Sequence, residues 1–253
     1  MGALQTRRSL VVVASFAALA LAAGVALRQV LARTAARAPR LVGGTTSVRG
    51  STGELVLYVP HLPGSITLDG DTDDPGWTRP PGPARTGSFR TAEGKESHPY
   101  SDTRILWGDG HLYMALYAAD EDIETRTTQA DGPLWLDDSY RVTFTRPGVE
   151  YVIEISPRGV VTDSIRHDGG AYDYSWSSGV HVSPELDGTV NNPNDNDEEW
   201  VIEMAVPFES IGMKGEPGES IGLALRRCDT PKRSARICAS WGDGDEKGRI
   251  VLE

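Results

Sequence analysis

The sequence predicts an all-β fold, an antiparallel two-sheet β-sandwich of about ten strands preceded by an N-terminal hydrophobic helix. Three observations carry this prediction. From about residue 54 onward, apolar and polar residues alternate with period two, the signature of strands with one buried face. Turn signals punctuate the alternation at Gly108-Asp109-Gly110, Arg146-Pro147-Gly148, Pro157-Arg158-Gly159 and Glu216-Pro217-Gly218. The 28 glycines and 16 prolines suit many short strands better than long helices. No repeat of roughly 20–50 residues is visible, which argues against a propeller or solenoid.

The elements follow in order. After Arg7 and Arg8, residues 10–27 (LVVVASFAALALAAGVAL) carry no charge. As a helix they would span roughly 27 Å, close to a bilayer's hydrocarbon thickness. Residues 1–38 therefore read as a signal peptide or a membrane anchor, the two alternatives standing open. The TRRSLVV stretch also looks like a weak twin-arginine signal. Either way the protein is expected to be exported, to the periplasm, the cell envelope or the outside medium, with membrane contact only through this segment. Residues 39–53, rich in Gly, Ser, Thr and Arg, read as a linker, and residues 54–253 as one folded domain.

Within that domain SYRVTFT puts Tyr140, Val142 and Phe144 on one face. WVIEMAV does the same for Trp200, Ile202, Met204 and Val206, and IGLALRR for Ile221, Leu223 and Leu225. HLYMALYAA is apolar on both faces, as a central strand covered from both sides should be. A single helical turn is expected near PFESIG. Trp77, Trp107 and Trp200 lie among apolar neighbours and read as core.

Charge and cysteines narrow the partners. Residues 1–40 contain six arginines and no acid, and taking that +6 from the net −11 leaves −17 on residues 41–253. A domain this acidic repels phosphate backbones, so nucleic acid is excluded as a partner. Cys228 and Cys238 flank DTPKRSARI between two strand-like runs. A hairpin would bring them together as a disulfide in an oxidising compartment, the alternative being two buried thiols. No second cysteine pair or histidine cluster has zinc-ligand spacing.

No catalytic motif appears: no GxSxG, P-loop, GxGxxG after a strand, or HExxH. The adjacent acids Asp137 and Asp138 suggest a glycosidase pair only superficially, because neighbours on a strand point to opposite faces. The chain is therefore expected not to be an enzyme. DGDTDD at 69–74 begins like an EF-hand loop but has Asp74 and Pro80 where Gly and Glu are required.

The order of motifs is the most informative feature. ITLDGDTDDPGW (66–77), TRILWGDGHLYMALYAADEDI (103–123), LWLDDSYRVTF (134–144), YVIEISPRGVVTD (151–163), EEWVIEMAVPFESIG (198–212), GLALRRCD (222–229) and SWGDG (240–244) follow one another at sensible spacing. This series resembles the family 9 carbohydrate-binding modules, within the wider DOMON-like sandwiches, over about residues 64–253. The resemblance implies a non-catalytic module that takes a polysaccharide or oligosaccharide at an aromatic site. A pyranose ring offers an apolar C–H face to an indole while its hydroxyls meet carboxylates and guanidiniums.

Trp135, in LWLDD, stands where the family has one stacking wall. The family's second tryptophan, near the C-terminus, is missing, since SWGDG runs almost directly into GRIVLE; Trp241 matches the preceding strand tryptophan and reads as core. Tyr172, Tyr174 and Trp176 in AYDYSWSSG are the candidates for a substitute wall. Arg227 and Asp229 match a strand-end pair that either forms an ion pair or reaches ligand hydroxyls. The family carries calcium in loops, which makes Asp69, Asp71, Asp137 and Asp138, with the acidic run 191–199, candidate calcium ligands against the alternative of solvated loops. Two further readings are an envelope structural or protein-interaction domain, and a haem carrier using Met114 or Met204 with a His or Lys; haem is not expected, as no CxxCH motif is present.

Overall fold

A computed structural model describes residues 47–51, 53–232, 235–243 and 247–253. The hydrophobic segment and the twin-arginine stretch lie outside the described residues. Among those residues no helix is long and apolar enough to cross a membrane.

Among the described residues fourteen strands form two sheets. In chain order the first seven are β1 (Val48–Arg49), β2 (Leu55–Val59), β3 (Ala84–Arg85), β4 (Ser101–Gly108), β5 (His111–Ala119), β6 (Ser139–Arg146) and β7 (Val149–Ile155). The rest are β8 (Val161–His167), β9 (Tyr172–Asp173), β10 (His181–Asp187), β11 (Glu199–Pro207), β12 (Ser220–Asp229), β13 (Ile237–Trp241) and β14 (Gly248–Leu252). The nine-stranded sheet runs β1-β2-β14-β12-β6-β7-β8-β9, with β13 also on β12, and the five-stranded sheet runs β10-β11-β5-β4-β3. The expected two-sheet sandwich is what forms, with more strands than the ten expected because β1, β3 and β9 are two residues long. Pairing is antiparallel except between β2 and β14, where the first long strand lies alongside the last.

The alternating patterns meet where predicted. Tyr140, Val142 and Phe144 of β6 and Ile221, Leu223 and Leu225 of β12 face Trp200, Ile202, Met204 and Val206 of β11 in one buried core. Strand β5 is central in its sheet and covered on both sides. Leu112, Met114, Leu116 and Ala118 enter the main core, while Ala115 joins a second cluster with Trp77 and Leu106 under the segment around residues 62–78. Met114 and Met204 sit opposite each other in the β5–β11 register, both fully buried, as packing residues. The turn expected at PFESIG is a 3-10 helix, Phe208–Ile211.

Two differences from the sequence reading matter. Val48–Arg49, inside the stretch read as linker, pairs with Leu55–Val56 and opens the nine-stranded sheet. Strands β13 and β14 pair with β12 in succession, so they form one edge broken by the connection after Trp241. Gly242 makes that break: at φ +68° its Cβ would lie 2.6 Å from the Leu223 carbonyl oxygen, so a side chain is excluded.

Candidate functional site

The loop between β5 and β6 builds the most exposed aromatic feature of the described chain. It ends in a 3-10 turn, Leu134–Leu136. Leu134 is fully buried and pins the turn to the core, which leaves Trp135 61% and Leu136 67% exposed. The four other tryptophans named as core at the sequence level, Trp77, Trp107, Trp200 and Trp241, are all buried. Exposing an indole forfeits the burial energy that drives folding, about 25 cal/mol per Å² of apolar surface, so its position calls for a partner.

The acids after Trp135 fix the loop from below. Asp137 Oδ2 accepts from Thr125 Oγ1 at 3.1 Å and Thr127 N at 2.8 Å. Asp138 accepts from Glu124 N at 2.6 Å and Thr230 N at 2.9 Å. A groove of about 540 Å³ lies beside it, with Arg126, Thr127, Gln129, Pro133 and Leu136 among its walls. Thr162 Oγ1 of β8 donates to Gly132 O at 2.8 Å, which ties the loop to the outward-facing row of the nine-stranded sheet.

That row is polar because every second residue points out. Thr162 is paired with Glu154 of β7, Glu154 with Arg141 of β6, and Arg141 with Arg226 of β12. Arg141 Nη1 meets Glu154 Oε1 at 3.0 Å and Arg141 Nη2 donates to the Tyr172 hydroxyl at 3.0 Å. Arg166 forms an ion pair with Glu150 and lies 4.7 Å from the Tyr172 ring centroid, with Arg141 at 5.4 Å. Two guanidiniums thus hold the Tyr172 ring. Arg226 is exposed and has no ion-pair partner among the described residues. Sequence reasoning missed Arg141, Glu154 and Arg166, although their signal was present as the polar positions of SYRVTFT, YVIEI and VTDSIRH.

The substitute aromatic wall divides. Tyr172 pairs with Arg166, four residues along β8 from Thr162, or about 13 Å at the rise of a strand. Tyr174 is exposed, with its ring 6.4 Å from that of Tyr172. Trp176 is half-buried against Tyr151 at 5.6 Å, in the connection that passes from one sheet to the other.

Arg227 and Asp229 do not reach a ligand. They continue the inward parity of Ile221, Leu223 and Leu225, and both are buried, as an ion pair at 3.3 Å, in the end of the sandwich. This corrects the ligand-hydroxyl reading. Arg227 Nη2 also meets Asp120 at 3.0 Å, and Trp200 Nε1 donates to the same Asp120 oxygen at 2.9 Å. Burial pushes Asp138 up to about 8 and Asp229 up to about 7, the neighbouring Asp120 adding to both while Arg227 opposes the rise of Asp229.

The four acids named as candidate calcium ligands lie in two places. Asp69 and Asp71 are exposed in a loop whose Asp69 and Gly70 amides donate to the buried Glu203 on the outer face of the five-stranded sheet. Asp137 and Asp138 are buried at the head of β6 in the other sheet. Within the 191–199 run, Asp197 accepts from Ile123 N at 2.8 Å and Thr189 N at 2.7 Å, so it fastens loops. Cys228 and Cys238 do form the disulfide, directly opposite each other on β12 and β13.

A two-sheet sandwich that spends its interior acids on loop architecture, and offers an exposed indole beside a polar sheet face, is a β-sandwich recognition module. The chain belongs to the carbohydrate family 9 binding domain-like family, whose profile matches residues 68–248. Among solved structures, a Bacteroides uniformis protein assigned to carbohydrate binding is 13% identical, with a TM-score of 0.60 over 78% of this chain and 99% of that one. A family 9 carbohydrate-binding module of Caldicellulosiruptor kristjanssonii is 15% identical over 78% of this chain. It gives TM-scores of 0.53 in complex with cellotriose and 0.54 in complex with glucose, covering 93% and 95% of those chains. These likenesses establish the fold. No curated protein matches the sequence.

Proposed function

We propose that this domain is a non-catalytic module that binds a polysaccharide or oligosaccharide along the outer face of the nine-stranded sheet, with Trp135 as the stacking wall. The observation that carries this is the exposure of Trp135 on a turn whose neighbour Leu134 is fully buried, in a loop tied through Gly132 to Thr162 at the end of the polar row. The indole takes the C–H face of a sugar ring, and Arg141, Glu154 and the exposed Arg226 supply donors and acceptors to its hydroxyls. Tyr172, some 13 Å along β8, offers a second contact to a ligand longer than one ring. Membership of a carbohydrate-binding family supports the reading, and so do neighbours crystallised with cellotriose and glucose.

Binding without catalysis fits the acids. Asp137 and Asp138 are engaged with backbone amides and a hydroxyl, and as adjacent residues they do not face each other across a cleft as the opposed pair of glycoside hydrolysis must. The module works outside the cytoplasm, a reading supported by the basic, apolar N-terminal sequence and by the Cys228–Cys238 bond, which persists in an oxidising compartment. A glycan array probed with the full chain tests the proposal. Binding to a defined set of glycans is expected, and an array without signal at high protein concentration would overturn it.

A further inference from the structure

The polar row on the nine-stranded sheet does not stop at Arg226. Arg226 stands opposite Ser240 of β13, and Ser240 opposite Arg90 in the connection between β3 and β4. Backbone hydrogen bonds of 2.9 Å run both ways between Ser240 and Arg90. Arg141, Arg226, Ser240 and Arg90 therefore follow one another across the sheet, and at the usual strand spacing Arg90 lies about 10 Å beyond Arg226. A groove of about 910 Å³ opens at this end of the row, with Arg90, Arg226 and Ser240 among its walls.

The groove reverses the charge of the domain around it. Three guanidiniums line it, Arg49, Arg90 and Arg226, against the two carboxylates Glu96 and Asp243. That excess of one positive charge lies on a domain whose residues 41–253 carry −17. Arg226 is also directly opposite Arg141, and like charges facing each other across strands destabilise a sheet. Glu154 answers Arg141, but Arg226 and Arg90 are exposed and have no ion-pair partner among the described residues. Arg90 Nη1 donates to the Gly94 carbonyl at 2.8 Å, which steadies the guanidinium without neutralising it.

Two steadied guanidiniums without carboxylates, on the line that leads away from the stacking wall, call for negative charge from the ligand. We infer, resting on the glycan-binding reading above, that the ligand is an acidic polysaccharide or oligosaccharide whose anionic groups are taken by Arg226 and Arg90. The guanidinium fork matches the paired oxygens of a uronate carboxylate or of a sulfate ester, and both bonds are charge-assisted. The field of the whole domain repels polyanions, so a preference for acidic sugars can arise only from a local site such as this groove.

Calorimetric titration of the full chain with three pentasaccharides on one backbone tests this: cellopentaose, its C6-carboxylated form and its 6-O-sulfated form. A charged form should bind at least about tenfold more tightly than cellopentaose, and the tighter of the two identifies the anionic group. Raising the salt from about 0.1 to 1 M, where the Debye length falls from about 10 to 3 Å, should shrink that advantage. Arg90→Gln should remove most of it and leave the cellopentaose affinity unchanged. Arg226→Gln should remove it too, while Arg226→Lys, which keeps the charge, should retain part. Both side chains are exposed, so the melting midpoints should hardly move. Cellopentaose bound as tightly as both charged forms, or no binding of any of the three, overturns the inference, and so does an advantage left intact in Arg90→Gln or Arg226→Gln. Equal binding of all three leaves the sugar-binding reading standing and removes only the acidic ligand, whereas a silent glycan array removes the reading itself.

Discussion

Replacing Arg227 by methionine separates a buried structural cation from a ligand contact. The substitution keeps the apolar stem and removes a guanidinium that meets Asp120 at 3.0 Å, Asp229 at 3.3 Å and Ser101 Oγ at 3.4 Å, and stacks 5.9 Å from the Trp200 ring centroid. Taking one partner from a buried ion pair strands the others, at a cost of about 3–5 kcal/mol. That is a large part of the stability of an ordinary domain and lowers the urea midpoint by at least about 1 M. The cost should be greater at pH 8 than at pH 5. At pH 5 Asp138 and Asp229 hold protons and fewer charges are left unpaired; at pH 8 Asp229 is largely ionised and Asp138 about half, with Arg236 the nearby cation among the described residues. Urea titrations of the two proteins at both pH values, in EGTA, measure this. A loss below about 1 kcal/mol at pH 8, or weakened glycan binding at an unchanged midpoint, would refute the structural role and return Arg227 to the ligand.

Two further outcomes follow from the same interior. In EGTA the wild type should lose stability as pH rises from about 4 to 8, because Asp138 and Asp229 release their protons near 8 and 7 when folded but near 4 when unfolded. The folded state binds more protons across that window, so the slope is downward, at most about 1.4 kcal/mol per pH unit for each proton, and a flat profile would contradict it. Glu203→Ala removes the acceptor of Trp77 Nε1 at 2.7 Å, Gly70 N at 2.8 Å and Asp69 N at 3.1 Å, and should cost about 2–4 kcal/mol by chemical denaturation while leaving glycan affinity intact. A change under 0.5 kcal/mol, itself roughly the scatter of surface substitutions, would show that the segment over the five-stranded sheet does not depend on it.

Much of this was legible in the sequence, for physical reasons that also mark where legibility ended. In β6, β11 and β12 the alternation named the inward residues correctly, because a strand between core and solvent must sort its side chains by parity. The same parity held the information that was missed. Asp138 continues Tyr140-Val142-Phe144 and Asp229 continues the Ile221 series, so both had to point inward. A motif reading that left Arg227 and Asp229 open between an ion pair and a ligand contact did not apply that rule. The meeting of Asp120, Asp138 and Asp229 was not visible, since only the packing of one sheet on the other joins residues so far apart in sequence. Glu203 looked solvent-facing because nothing local shows that the segment with Trp77 folds across it. Strand β1 escaped notice because two residues are too few for a period to register.

The account's central claim is that Trp135 is the wall on which the sugar stacks. Calorimetric titration of the strongest glycan from the array into wild-type and Trp135→Ala full chains, with the melting midpoint of each, tests it most directly. Removing an aromatic contact of this kind should weaken binding about ten- to a hundredfold, equivalent to about 1.4–2.8 kcal/mol. An indole that is 61% exposed contributes little to folding, so the midpoint should stay within about 2 °C. Unchanged affinity at an unchanged midpoint would contradict the claim, and a collapse of the midpoint would make Trp135 a structural residue.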